Sequence, residues 1–330
     1  MAISATQTTM RAILQDSYGE ADVLRFGWIA RPGIGDNEVL VRVHAAGLDR
    51  GTWHLMTGKP YLLRLAFGLR APKNPVPGRD VAGTVEAVGS AVSKFSVGDE
   101  VYGVAPGSFA EYAVAREDKL ARKPANLSFE QAAVVPVSAL TAQDAVTVGR
   151  IGPGQHVLIT GASGGVGSYA VQLAKAAGAE VTGVASTAKL DLVLALGADH
   201  VIDYTRDDFA ESGNRYDVII DIAGNPSLSR LRRALTATGT AVLTGGEEGG
   251  SLTGGMNRQL GSLILSLFVR QRLTMFINKE RGSDLERLTD LIEAGKVTPS
   301  VDRTYPLEQV PDAMRHLEAG QVRGKVAITV

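Results

Sequence analysis

His156-Val157-Leu158-Ile159-Thr160-Gly161-Ala162-Ser163-Gly164-Gly165-Val166-Gly167, continuing through a helical pattern to Gly178, is the stretch that decides the fold of this chain. Val157, Leu158 and Ile159 make a short apolar run of the kind that forms a buried strand. Val166, Ala170, Leu173, Ala174 and Ala177 then recur at helical spacing, and Gly178 stands where a helix closes on a left-handed residue. A glycine-rich turn therefore joins a strand to a helix. The N-terminus of such a helix offers unpaired N–H groups and a partial positive charge, and glycines let a pyrophosphate approach both.

Three motifs compete for this loop. It reads as a phosphate-binding turn, Gly161-x-x-Gly164-x-x-Gly167, as a short-chain dehydrogenase turn, Thr160-Gly161-x-x-x-Gly165-x-Gly167, and as a hydrolase elbow, Gly161-x-Ser163-x-Gly165. The elbow needs a downstream acid and then a histidine. Only His200, which leads into the apolar Val201-Ile202, and His316, inside the helical pattern Val310 to Leu317, follow it. The short-chain reading needs a glycine turn near the N-terminus and a Tyr-x-x-x-Lys pair. About 155 residues precede this turn, and Tyr169, Tyr204, Tyr216 and Tyr305 all lack the lysine. What remains is a dinucleotide-binding fold placed second in the chain.

Composition bounds the rest. With 330 residues and 45% hydrophobic content the chain supports two cores. A net charge of −1, with the two signs mixed, gives no electrostatic case for nucleic acid. There is no cysteine, which removes disulfides and thiolate metal sites. Leu263 to Val269, the longest apolar run, is too short to span a bilayer, and no basic-then-apolar signal precedes Met10. A cytoplasmic protein with no membrane partner is expected, with residues 1–9 as a loose tail.

Residues 10–130 read as β-rich, with strands at 39–43, 80–92, 99–103 and 108–115. Pro72, Pro75 and Pro77 make the stretch from Arg64 to Gly78 a long loop. Beyond 130 the period changes. The pattern predicts a helix over 129–148 and then alternation: strands at 180–185, 201–203, 216–222, 240–244 and 273–277, and helices at 187–196, around Phe209, at 227–235 and at 259–269. Residues 245–255 read as a glycine-rich loop. Six strands with crossover helices make a doubly wound parallel sheet, an α/β fold. A helix over 284–294 and the terminal Val326 to Val330 lead back to the first domain. The expected domains are 1–130 with 279–330, and 131–278.

This order of motifs resembles the medium-chain dehydrogenase/reductase superfamily, and within it the zinc-free quinone oxidoreductase and enone reductase branch. The resemblance rests on Ala45-Ala46-Gly47-Leu48-Asp49, Pro77-Gly78-Arg79-Asp80-Val81-Ala82-Gly83, Val97-Gly98-Asp99-Glu100-Val101-Tyr102-Gly103, Leu140-Thr141-Ala142, Leu196-Gly197-Ala198-Asp199-His200-Val201-Ile202-Asp203-Tyr204 and Gly324-Lys325-Val326. It covers nearly all of residues 10–330 and implies a GroES-like first domain beside a Rossmann second domain. Zinc members carry a cysteine after the Ala-Gly-like turn and Gly-His-Glu where this chain has Gly78-Arg79-Asp80. Those ligands are missing, so no zinc is expected. Asp49 stands where many zinc-free relatives have an asparagine that faces the nicotinamide.

Strand 180–185 runs into Ser186-Thr187-Ala188-Lys189 with no acid before Asp191, so nothing there opposes a 2′-phosphate. Ser186 and Lys189 are positioned to donate to it. The resemblance adds Lys189 and Tyr204 flanking the phosphate, and Thr141 on the nicotinamide side. The expected NADP(H) site is thus Gly161, Ser163, Gly164, Gly165, Val166 and Gly167 of the turn, Ser186, Lys189 and Tyr204, then Ala223, Gly224, Thr244, Gly245 and Phe276 at strand ends, with Thr141 and Lys325. The acceptor, a quinone or an α,β-unsaturated carbonyl, is expected against Asp49 to Tyr61, with Trp53 as a flat wall and Asp49, His54 and Tyr61 as candidate catalytic groups. The family habit implies a homodimer through the edge strand Leu273–Ile277. The alternative from another class is an NADPH-binding sensor with little turnover.

Overall fold

The computed structural model describes residues 8–245, 250 and 252–330. Part of the 245–255 loop and residues 1–7 of the expected tail lie outside the described residues; Thr9 already opens the strand Thr9–Gln15.

The second half of the chain forms the doubly wound sheet that the alternation predicts. Six parallel strands lie in the order His200–Asp203, Glu180–Ala185, His156–Thr160, Tyr216–Asp221, Leu235–Leu243, Arg272–Met275. The order reverses between His156–Thr160 and Tyr216–Asp221, and ligands bind such sheets at the carboxyl ends of the strands beside that point. Val157, Leu158, Ile159, Ile219 and Ile220 are wholly or almost wholly buried, as strands covered on both faces must be. The helix Gly165–Ala176 packs on one face, and its Tyr169, fully buried, donates its hydroxyl to the Val134 carbonyl at 3.1 Å.

The first domain is a sheet in the order Val301–Pro306, Lys325–Thr329, Glu38–Leu48, Asp80–Val88, Glu100–Val104, Leu120–Arg122, with Tyr112–Arg116 paired to Glu38–Leu48. The hairpin Thr9–Gln15 with Leu24–Ala30 covers it. The GroES-like plus Rossmann architecture is therefore as expected.

Local differences have local causes. The helix expected over 129–148 is two helices, Phe129–Ala133 and Pro136–Gly149. Pro136 lacks an N–H and so begins a helix instead of continuing one. No helix forms around Phe209; the Asp208 carboxylate accepts the Ala210 N–H at 2.8 Å and makes a turn of that segment. Helix 187–196 opens as a 3₁₀ turn, Thr187–Lys189, before Leu190–Ala195. The proline-rich stretch admits one helical turn, Arg64–Phe67, ahead of its first proline. Strand 80–92 ends at Val88. Arg50–Thr57, which no periodicity announced, is a helix capped by Asp49.

Candidate active site

The glycine turn lies at the reversal point. Gly161 has φ +66° and Gly164 is the N-cap of Gly165–Ala176, with no side chain capping that end. The helix therefore keeps its first N–H groups and positive end for a ligand. A Cβ on Gly167 would stand 2.0 Å from the Gly161 carbonyl oxygen, so the turn closes this tightly only without one. Across the crevice, Thr160 Oγ1 accepts from the Ile222 and Ala223 N–H groups at 2.9 and 3.2 Å. These bonds draw the loop after Tyr216–Asp221 toward the turn, bringing Ala223 and Gly224 to it.

Thr244 Oγ1 and Asn225 Oδ1 are buried here with no partner among the described residues. Buried polar groups are normally bonded, so a polar ligand fits this crevice. The open helix end, the glycine cradle and these orphaned atoms together suit a dinucleotide's pyrophosphate and ribose. Gly245 supports the rim: its N–H donates to the Asp221 carbonyl at 3.2 Å.

A buried ion pair underlies this rim. Arg258, on the helix Met256–Ser266, meets Asp221 at 2.6 Å and also donates to the carbonyls of Pro226 and Gly245 at 2.9 and 3.1 Å. Asp221 is 1% exposed, and burial raises its pKa against the pull of Arg258 and the Thr160 hydroxyl. One guanidinium thus ties together the loops that carry Ala223, Gly224 and Gly245. Periodicity carried no signal for either partner.

At the far end of the second strand, Lys189 is half-buried and donates to the Gly320 and Val322 carbonyls at 2.7 and 2.8 Å. An ammonium has three N–H bonds, so one remains for a phosphate. Burial lowers the Lys189 pKa. Beside it, Arg323 donates to the Ala188 carbonyl and to Asp191 at 2.7 Å. Arg323 was not among the expected residues; its signal, an arginine in the glycine-flanked Gly320-Gln321-Val322-Arg323-Gly324, identifies no neighbour in advance. Tyr204 is exposed, and Ser186 lies at the end of the strand, ahead of the 3₁₀ turn. The nearby acid, Asp203, accepts from the hydroxyls of Thr187 and Thr205, which hold its pKa below the ordinary range.

Toward the first domain, Thr141 Oγ1 donates to the Val137 carbonyl at 2.7 Å and accepts from Asn278 Nδ2 at 3.0 Å. Phe276, partly buried, packs on the main core, and the chain runs on from it across to the first domain. Asn278 Oδ1 accepts the Glu280 N–H at 2.8 Å, and the Glu280 carboxylate holds Arg79. Glu280 takes φ +47°, an unfavourable value for a side chain of its size. Arg79 keeps a raised pKa: burial opposes the charge, but Glu280, Asp49 and Asp80 outweigh it. Asp80 is wholly buried, and burial lifts it to about 7 despite Lys325, whose Nζ lies 3.6 Å away. Asp80 Oδ1 also accepts the Val137 N–H at 2.9 Å.

Five expected residues lie on the first domain. Lys325 is 1% exposed and bonds Ser138 Oγ at 2.9 Å, so it ties the first domain under the turn instead of facing a ligand. Trp53 is partly buried, packs on the apolar cluster of Met56, Val310, Ala313 and Met314, and donates its indole N–H to Glu318 at 2.8 Å. His54 Nδ1 bonds the Lys59 carbonyl at 2.7 Å. Nδ1 is therefore the protonated nitrogen in the neutral ring, and Nε2 is an acceptor. Asp49 Oδ1 accepts the Thr52 N–H at 2.7 Å while Oδ2 is buried without a partner. Tyr61 is exposed beneath the Arg64 guanidinium, 4.7 Å away. Among the described residues no three His, Cys, Asp or Glu side chains are grouped to hold a metal.

The chain matches two families, the alcohol dehydrogenase GroES-like domain over residues 35–125 and the zinc-binding dehydrogenase over 196–328. It is 34% identical over 334 residues to the 2-methylene-furan-3-one reductase of Solanum lycopersicum, covering 97% of this chain and 79% of that one. The NADPH-dependent alkenal/one oxidoreductase of Arabidopsis thaliana matches equally, at 34% identity with the same 97% and 79% coverage. The solved quinone oxidoreductase of Coxiella burnetii superposes with a TM-score of 0.86 at 29% identity, over 98% of this chain and all of that one.

Proposed function

The chain belongs to the medium-chain dehydrogenase/reductase superfamily, in its quinone oxidoreductase and enone reductase branch, and from that premise we propose that it reduces a quinone or an α,β-unsaturated carbonyl with NADPH and without zinc. The observation that carries the cofactor half is the uncapped helix end at Gly164 at the reversal point of the sheet, with Thr244 Oγ1 and Asn225 Oδ1 beyond neighbouring strand ends buried without a partner among the described residues. Bound there, NADPH supplies hydride. The chain's own residues do the rest. The Gly161–Gly167 turn receives the pyrophosphate, the Arg258 clamp fixes the loops under the ribose, and Thr141 with Asn278 orients the nicotinamide side. Lys189, Arg323, Ser186 and Tyr204 surround the 2′-phosphate. Electron-poor acceptors need little acid help, so positioning and exclusion of water account for much of the rate.

The zinc-free half rests on chemistry. The chain has no thiolate to offer, and a guanidinium stands at Arg79 between Asp49 and Glu280. A fixed cation there opposes a second one. Homodimerisation also belongs to this reading: Arg272–Met275 is a sheet edge, and Ile277 just beyond it is 81% exposed.

NADPH consumption across a panel of quinones, enals and enones tests the activity; binding without consumption would favour a sensor. Elemental analysis finding one zinc per chain, or loss of activity with chelators, would remove the metal-free claim. A monomeric mass in solution would remove the dimer.

A further inference from the structure

We propose that Arg79 is a catalytic residue whose guanidinium holds the acceptor's carbonyl oxygen and stabilises the negative charge that hydride addition places there. This rests on the reductase reading above.

Arg79 is placed for it. The chain from Phe276 passes Thr141 at Asn278 and reaches Arg79 at Glu280, so the guanidinium lies one contact beyond the nicotinamide side. Its other neighbours are Asp80, Asp49 and the start of the helix Arg50–Thr57, the segment expected to face the acceptor. A Cβ at Gly51 would meet Asp49 Oδ1 at 2.9 Å and lie in ordinary contact, 3.6 Å, with Arg79 Nη1, which places the guanidinium against this segment. The side chain retains 28% exposure. Among the described residues its only hydrogen bond goes to Glu280. Arginine has five N–H groups, so four are left, fixed in a planar fork and permanently charged. The strained Glu280 backbone gives that aim a cause: a conformation that costs stability places a carboxylate where it steadies one edge of the guanidinium.

The electron count is simple. A C–H bond forms at the β-carbon as hydride leaves the reduced nicotinamide, the C=C pair becomes the new Cα–C(O) π bond, and the carbonyl pair moves onto oxygen. Water then protonates the α-carbon while the oxygen gives its charge back. Arg79 donates to that oxygen throughout and loses no proton.

Arg79→Met, Arg79→Lys and Glu280→Gln in the full-length protein test this. Arg79→Met should slow single-turnover hydride transfer to an enone by about 10²- to 10³-fold, the usual loss for one oxyanion donor. Arg79→Lys should recover part of it, and NADPH affinity should hold. p-Nitrophenol, bound to the NADP⁺ complex, gives a readout independent of turnover. Wild type should lower its apparent pKa, Arg79→Met should abolish that shift, and Arg79→Lys should retain part. An unchanged hydride rate in Arg79→Met overturns the proposal. So does Glu280→Gln matching Arg79→Met on every readout, since that marks a contact between domains and nothing more. If wild type reduces no acceptor, the reductase reading falls, and the p-nitrophenol titration alone then decides whether Arg79 holds an oxyanion.

Discussion

Replacing Arg258 with methionine removes the cation that compensates Asp221 and leaves the carboxylate at 1% exposure. At 2.6 Å and an effective dielectric of about 20, the gross attraction is about 6 kcal/mol. Desolvation of both groups offsets much of that, but the variant still carries the desolvated aspartate. Removing one member of a buried pair costs roughly 3–5 kcal/mol. For a domain of this size each kcal/mol moves Tm by roughly 2–4 °C, so a fall of roughly 6–20 °C is expected. The loss should depend on pH. Asp221 is already raised above its ordinary value. A carboxyl with a raised folded pKa costs nothing below its unfolded pKa, and the cost grows until pH passes the folded value. Without Arg258 the folded value rises further, so the deficit against wild type should be small in acid and largest at alkaline pH. Thermal melts of both proteins across that range measure it. Adding Asp221→Leu should restore much of the stability, because it removes the orphaned charge. A deficit independent of pH, with no recovery in the double variant, would refute the account.

Other outcomes follow from distances already given. Gly167→Ala should abolish NADPH binding, because its Cβ meets the Gly161 oxygen at 2.0 Å, whereas Gly164→Ala, at 3.3 Å, should bind with a smaller loss; titration of cofactor fluorescence separates them. Lys189→Ala and Arg323→Ala should each weaken NADPH by about 10- to 150-fold, the loss of a charged hydrogen bond, and leave NADH nearly untouched. Equal losses for the two cofactors would place the 2′-phosphate elsewhere. One carboxyl carbon should titrate at about 7 by NMR and vanish in Asp80→Asn; if every carboxyl titrates in the ordinary acid range, burial does not raise Asp80 as described.

The fold was readable because its signals are local. Val157 to Gly178 spells strand, turn and helix within one window, and repetition of that unit implies a parallel sheet. The site was readable only where its parts are likewise contiguous, as in Gly161–Gly167 or Ser186–Lys189. The Arg79–Glu280 pair spans 201 positions, the Arg323–Asp191 pair 132, and the Asp221–Arg258 pair 37, with the helix Leu228–Ala234 and the strand Leu235–Leu243 between its members. Nothing in the spacing brings such residues together; only the folded sheet edges do. The surroundings of Trp53 were hidden for the same reason. Its hydrogen-bond partner Glu318 arrives from 265 positions away, and no local spacing foretells that contact. The helix Arg50–Thr57 did carry a sign, Asp49 three residues before Thr52, whose N–H it accepts.

The strand Glu38–Leu48 pairs on one side with Lys325–Thr329, Val326 opposite Leu48 and Ile328 opposite Ala46. That pairing sets a timetable for biosynthesis. Domains usually mature in the order in which they are translated. Here the earlier-made sheet waits, with Glu38–Arg42 already paired to Tyr112–Arg116 but Ala45–Leu48 lacking a neighbour on that edge, while the whole parallel sheet is made and folds between its two halves. The end of the strand that leads into Asp49 and the candidate site consequently gains its last neighbour only once residues 325–329 have been synthesised.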